Sequence, residues 1–221
     1  KADCREVVVK ITVACPDKKS LVLFSKEIAQ AATAMAPGIT GLVGGRPTVW
    51  PKIRLFSCLV PKDSVNVSVI LGEQNTGVSV EEKGGFDQAF IKEQSHASAL
   101  TEHTPKYLPL IALAWARSGD KGDHANIGVI ARKENYLPYI QAALTEEKVA
   151  QFMAHTLCPE SGKVTRWDLP GINAMNFLLE HSLGGGGVAS LRIDPQGKAF
   201  AQQLLSCPIP VSEAIYAALK E

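Results

Sequence analysis

The sequence predicts an α+β protein made of two small α/β sandwich units. Short apolar runs of strand length recur along both halves, interleaved with segments whose apolar residues step by three and four. Between the halves, Asn75 to His103 mixes Gly, Ser, Glu, Lys and His with no period of its own, which marks a connection rather than a packed element. With 221 residues, 46% of them hydrophobic and 20% charged, the chain can bury a real core. The division expected is residues 1–75, a linker over 76–106, and residues 107–221.

The first unit opens on Glu6 to Ala14, where apolar residues alternate with Lys10, Thr12 and Ala14 as in a strand with one wetter face. Asp17 then caps an amphipathic helix carrying Leu21, Phe24, Ile28, Ala31, Ala32 and Met35. Pro37-Gly38 stops it. Gly44-Gly-Arg46 follows, either a turn with a solvated arginine or a backbone cradle with a guanidinium fork for an anion. Ile53–Val60 and Val65–Leu71 are two further strands, with Cys58 as an inert core thiol.

In the second unit the apolar runs Leu110–Ala116 and Ala125–Arg132 flank a polar hinge. Tyr136 to Leu144 predicts a helix, and Thr145 caps the next, whose Val149, Phe152, Met153 and Leu157 share a face. Lys163 to Trp167 is a short strand. Pro170-Gly171 opens a helix through Met175, Leu178, Leu179 and Leu183, ended by Gly184-Gly-Gly-Gly187. One glycine suffices for a helix end, so the other three answer either a ligand's close approach or a need to move. Val188–Ile193 is a strand, Asp194-Pro195 starts a helix that Pro208-Ile-Pro210 ends, and Ser212 to Glu221 forms a last short helix.

A net charge of +1 gives no electrostatic footprint for nucleic acid or an acidic membrane surface. No apolar run approaches the roughly 20 residues needed to span a bilayer, and no secretory leader is visible. Five cysteines, odd in number and widely spaced, fit reduced thiols in a cytoplasmic protein better than a disulfide framework. His96 and His103 lack the convergent ligands a metal site needs. A chain that starts without Met and runs almost directly into Val7–Val13 is expected to be a fragment, a cleavage product or part of a larger polypeptide, so a second polypeptide is one expected partner and a homo-oligomer another.

Chemistry is expected at Arg117-Ser-Gly-Asp-Lys-Gly-Asp-His-Ala-Asn126, because this many polar residues and glycines exceed what turning a hairpin requires. Gly119 and Gly122 can free backbone N–H groups for a phosphate or carboxylate while Arg117 and Lys121 neutralise it, with Ser118 and Asn126 as further donors. Asp120, Asp123, His124 and Asn126 could instead hold a divalent cation, and His124 beside Asp123 could act as a general base. Neighbours in an extended strand point to opposite faces, which weakens the Asp123–His124 dyad. A charged hairpin whose residues satisfy one another stands as the plain alternative.

Ala114 to Gly128, together with Leu169-Pro-Gly-Ile-Asn-Ala-Met-Asn176 and Leu183-Gly-Gly-Gly-Gly-Val-Ala-Ser-Leu-Arg-Ile-Asp-Pro-Gln-Gly-Lys198, resembles the C-terminal, ferredoxin-like domain of the acyclic terpene utilisation protein AtuA family. Pro37-Gly-Ile-Thr-Gly41 and Gly44-Gly-Arg-Pro47 resemble the end of the larger domain that precedes it there, most of which this sequence lacks. The resemblance implies breakdown of acyclic terpenes such as citronellol and geraniol, or of related branched acids, and it carries over no catalytic residue and no cofactor.

These readings combine into one expectation: an anionic small molecule, a carboxylate or an acyl thioester such as acyl-CoA, held by Arg46, the hinge, and Gly185 and Gly186 of the four-glycine run. Asp120, Asp123 and His124 are the candidates for catalysis, and no metal is expected. The competing expectation is a non-catalytic subunit that docks a partner enzyme.

Overall fold

In the computed structural model, which describes residues 4–41, 44–81, 84–85, 87–90 and 106–220, the chain first turns helical where Asp17 can cap it. The Asp17 carboxylate accepts the N–H groups of Lys19 at 3.1 Å and Ser20 at 2.9 Å. These are two of the donors a helix start leaves unpaired. Helix α1 (Lys18–Glu27) follows, running through a 3-10 turn into α2 (Ala31–Ala34).

Ahead of it, the strand expected over Glu6–Ala14 is not formed. Its apolar alternation is real, yet a strand also needs a neighbour to take its N–H and C=O groups. Among the described residues none pairs with it, and Val7, Val8 and Val9 remain 77%, 82% and 65% exposed. Side chains hold the segment instead, Lys10 Nζ donating to the Arg192 carbonyl at 2.7 Å and Thr12 Oγ1 to that of Leu191 at 3.4 Å.

Ile53–Val60 likewise carries no ladder. The strand expected at Val65–Leu71 is present as β1 (Val67–Leu71), and Gly72, at φ +62°, turns it into β2 (Gln74–Val78). This second strand occupies residues expected to open the structureless connection, a correction with a plain cause: Gln74-Asn-Thr-Gly-Val78 has no apolar alternation, and backbone pairing with β1 alone orders it. His96 and His103 lie outside the described residues. By contacts the chain divides into two compact units, Lys1–Arg54 with Ala97–Glu221, and Leu55–His96.

The larger unit holds the buried core. After β3 (Lys106–Pro109) and the single helical turn α3 (Leu110–Leu113), β4 (Ala114–Lys121) and β5 (His124–Ala131) form a long hairpin. Two short helices, α4 (Leu137–Ala143) and α5 (Glu146–Phe152), lead to a second hairpin of β6 (Val164–Leu169) and β7 (Ala174–Leu179). Helix α6 (Phe200–Leu204), strand β8 (Pro208–Val211) and helix α7 (Glu213–Ala218) complete it. The two hairpins join along β5 and β7 into an antiparallel sheet of order β4-β5-β7-β6, while β8 pairs with β3. Pro208-Ile-Pro210 is thus a strand rather than a helix stop.

Alternation fixes which face of this sheet is covered. Ile127, Val129, Met175, Phe177 and Leu179 point inward against Ile140, Leu144, Val149, Met153 and Leu204, all at most 2% exposed. One charge enters this layer. Arg166 of β6 is 5% exposed, and its guanidinium donates to both oxygens of Asp168 and to the carbonyls of Gln141 and Leu144, so every branch of the fork is used.

Three further expectations are corrected here. Met175, Leu178, Leu179 and Leu183 do not share a helix face: Ala174–Leu179 is β7, with Met175, Phe177 and Leu179 inward at a period of two. Val188–Ile193 is not a strand; a 3-10 turn over Gly187–Ala189 begins it and no ladder continues it. Asp194 does not head a helix directly but accepts the N–H groups of Lys198 and Ala199, closing the turn that precedes α6. Among the described residues no helix is long and apolar enough to cross a membrane.

Candidate functional site

Most of the polar hinge is strand. Arg117 to Lys121 belong to β4 and lie opposite Gly128, Ile127, Asn126, Ala125 and His124, leaving Gly122 and Asp123 as the whole turn. Gly122, at φ +68°, takes the left-handed value that the first position of a tight II′-type hairpin turn demands. The pleat then sorts the side chains. Ser118 and Asp120 lie on the helix-covered face, where Ser118 Oγ donates to the Gly197 carbonyl at 2.6 Å and accepts the Ala201 N–H at 2.9 Å, pinning α6 to the sheet. Arg117, Gly119 and Lys121 lie on the other face.

That other face is open, and its register puts cations, aromatics and small residues side by side. One cross-strand row is Trp115, Ile130, Ala174 and Leu169; the next is Arg117, Gly128, Asn176 and Trp167. A third runs Gly119, Asn126, Leu178 and Thr165, and Lys121 faces His124 at the turn end. Asn126 Nδ2 donates to Asn176 Oδ1 at 3.2 Å, so the two amides lock each other across the ladder. Gly128 leaves a floor without a side chain between Arg117 and Asn176. Among the described residues no group pairs with the exposed Arg117 guanidinium, whereas that of Arg132 stacks 4.6 Å from the Trp115 ring.

At the turn, the four-glycine run closes on the hairpin. Gly184, Gly185, Gly186 and Gly187 all have positive φ, between +35° and +100°. A Cβ on Gly186 would stand 2.2 Å from the Gly122 carbonyl oxygen, so only glycine lets the two backbones touch. Asp123 is held from several sides: Oδ1 accepts the Gly185 N–H at 2.6 Å, and its carbonyl accepts those of Ser182 at 3.0 Å and Leu183 at 3.1 Å.

Its remaining oxygen, Oδ2, lies 3.2 Å from Nδ1 of His181. A carboxylate only accepts, so the hydrogen in this contact sits on Nδ1, and the tautomer it selects leaves the lone pair on Nε2. His181 is itself in the left-handed region at φ +47°, and its N–H donates to Nδ1 of His124 at 2.9 Å. The two imidazoles meet edge to face with centroids 4.9 Å apart. The aspartate therefore serves a histidine 58 residues away rather than its neighbour His124, which props the backbone of that histidine. Arg192 braces the same loop from behind, its Nη1 donating to the Ser182 and Thr156 carbonyls.

His181, Arg192 and Lys198 are the residues that sequence reasoning did not single out. Lys198 Nζ sits 4.0 Å from Asp120 Oδ1 and 3.3 Å from where a Cβ of Gly119 would stand, so Gly119 makes room for a lysine. The only cue to His181 was a histidine just ahead of the four glycines. Arg46 takes a different place from the hinge: its Nε donates at 3.1 Å to Ser25 Oγ, which in turn donates to the Pro47 carbonyl. Among the described residues it makes no hydrogen bond or ion pair with the hinge or the glycine run. No described group of three His, Cys, Asp or Glu residues is arranged to hold a metal ion.

Elsewhere, a concavity of about 730 Å³ lies along β1 and β2, lined by Lys62, Asp63, Asn66, Ser68, Asn75 and Ser79 among others, with no His or Cys. It offers one charge of each sign, and no histidine stands beside its serine hydroxyls to activate them.

Comparison with known families follows the same two segments. Residues 108–210 match the family described as the AtuA ferredoxin-like domain, and residues 1–71 match the acyclic terpene utilisation family protein AtuA. No curated protein and no solved structure matches the chain.

Proposed function

Because the chain belongs to the acyclic terpene utilisation protein AtuA family, we propose that it serves acyclic terpene or branched-acid catabolism in the cytoplasm, its ferredoxin-like domain binding an anionic small molecule, a carboxylate or acyl thioester. The observation that carries this reading is the open sheet face. Arg117 and Lys121 project from it beside a glycine floor, and Ile130, Leu169 and Trp167 extend it with apolar surface at 38%, 41% and 42% exposure. A branched acyl chain can lie on the apolar row while the guanidinium and ammonium take the negative charge. Gly185 and Gly186 bring the second loop to the turn end of the same surface.

Titration of the full chain with isovaleryl-CoA tests this. Each charge-assisted hydrogen bond is worth roughly 1.5–3 kcal/mol, so Arg117→Ala with Lys121→Ala is expected to weaken binding about 100-fold or more, and added salt to weaken the parent's binding. Unchanged affinity in that double variant would sink the reading.

A second reading rests on the exposed Trp115 at 52% and the same apolar row. A surface of this kind also suits a non-catalytic subunit that docks a partner enzyme or a second copy of the chain. Retained activity of the complete assembly after Arg117→Ala and Lys121→Ala, together with its loss after Trp115→Ser, favours that alternative.

A further inference from the structure

Asp123, His181 and His124 form an arrangement that binding an anion does not require. An anion site has no use for a carboxylate clamped by a backbone N–H, nor for a histidine held by that carboxylate. Both are what a general base requires, since Asp123 fixes the ring and tautomer of His181 while Nε2 has no partner among the described residues. The side chain of His181 is 44% exposed, so a water molecule can reach it.

The backbone tells the same story. A non-glycine residue at φ +47° is uncommon, and such strain persists where the surroundings over-determine it. Here they do: the His181 N–H is bound by His124, its carbonyl by the Cys158 N–H at 3.0 Å, and the following Ser182 and Leu183 by Asp123. Every bond on this residue orients the imidazole.

Its place matters as much. His124 lies on the open sheet face opposite Lys121, and its ring touches that of His181. Leu178, opposite Asn126, and Lys121 lie at the turn end of this face beside the dyad, so a short acyl thioester seated there has its carbonyl next to it.

We propose that His181, oriented by Asp123, is a general base that hydrolyses an acyl thioester bound on this face. The inference rests on the binding reading above. In the step, Nε2 of His181 takes a proton from water as the water oxygen bonds to the thioester carbonyl carbon. The carbon–sulfur bond then breaks, and the thiolate leaves with the proton returned by the imidazolium. Water and thioester become carboxylic acid and thiol, with Asp123 holding the charged ring throughout.

Substitution here must respect the left-handed backbone, which asparagine and glycine accept and alanine resists. The full chain is therefore compared with His181→Asn, His181→Gly and Asp123→Asn, using isovaleryl-CoA and following loss of the thioester. Hydrolysis by the parent chain is expected, with a fall of about 100-fold or more in kcat for His181→Asn at unchanged affinity. Added imidazole is expected to restore part of the rate in His181→Gly. Asp123→Asn should lower kcat while leaving affinity in place. Isovaleryl-CoA that binds without being hydrolysed, or a His181→Asn variant as fast as the parent, overturns the general base and leaves the binding reading standing. Absence of binding overturns the binding reading itself.

Discussion

At the scale of single residues, the site is governed by what each neighbour leaves unpaired. Asp123 has its backbone carbonyl and both carboxylate oxygens engaged, and one of those bonds reaches 58 residues along the chain to His181. That distance explains why the histidine was not legible. The polar hinge showed itself as local surplus, but a partner chosen by the fold has no signature beside its mate. The thiols invite a separate test. The Ser161 hydroxyl, followed by the backbone N–H groups of Glu160 and Ser161, lowers the Cys158 thiol, whereas burial pushes Cys207 up. Thiolate, the reactive form, accumulates as pH rises through the thiol pKa, so a lowered thiol reacts at lower pH. Iodoacetamide labelling followed by peptide mass spectrometry is expected to modify Cys158 near neutral pH and to spare Cys207 until higher pH or unfolding. Equal labelling at neutral pH would refute the assignment.

At the scale of elements, local signals were legible where one face is buried and the ends are capped. Thr145 accepts the Lys148 N–H at 3.1 Å and starts α5, and Ser212 does the same for α7 through Ile215 at 3.3 Å, as their residue types suggest. The hairpin of β4 and β5 was legible in outline, but its hinge shrank to two residues because Arg117–Lys121 alternate with the pleat instead of looping out. β7 misled because Met175, Leu178 and Leu179 satisfy a helical spacing as well as a strand one, and only pairing with β5 and β6 decides between them. Val188–Ile193 misled for the opposite reason: Val188 and Ile193 are 73% and 66% exposed, so apolar composition there reports no buried strand. The cap on α5 carries its own prediction. This helix packs on β6, so Thr145→Ala loosens both, and a loss of about 1 kcal/mol is expected in urea unfolding monitored by circular dichroism. A midpoint unchanged within error would show that packing alone holds the helix.

At the scale of the whole molecule, burial is distributed unevenly along the chain. The buried hydrophobic residues run from Leu108 to Ile215, whereas among the described residues Val7 to Val13, Ile53 to Val60 and β1 are exposed and contribute none to that core. Composition could not reveal this, because apolar residues are plentiful in both halves; what differs is whether other elements cover them. Hydrogen exchange turns the difference into a measurement, since amide protection follows buried, laddered backbone and is lost where backbone bonds face solvent. Amides of Ile127, Val129, Phe177 and Leu179 are expected to exchange slowest. Those of Val7, Val8 and Val9, with no ladder among the described residues, are expected to exchange orders of magnitude faster. Protection at Val7 to Val9 equal to that of β5 would mean that this segment has found a strand partner, such as a second copy of the chain. Repeating the measurement across a range of protein concentrations decides that point: protection that grows with concentration points to a copy, and protection that does not change points to a partner within the same chain.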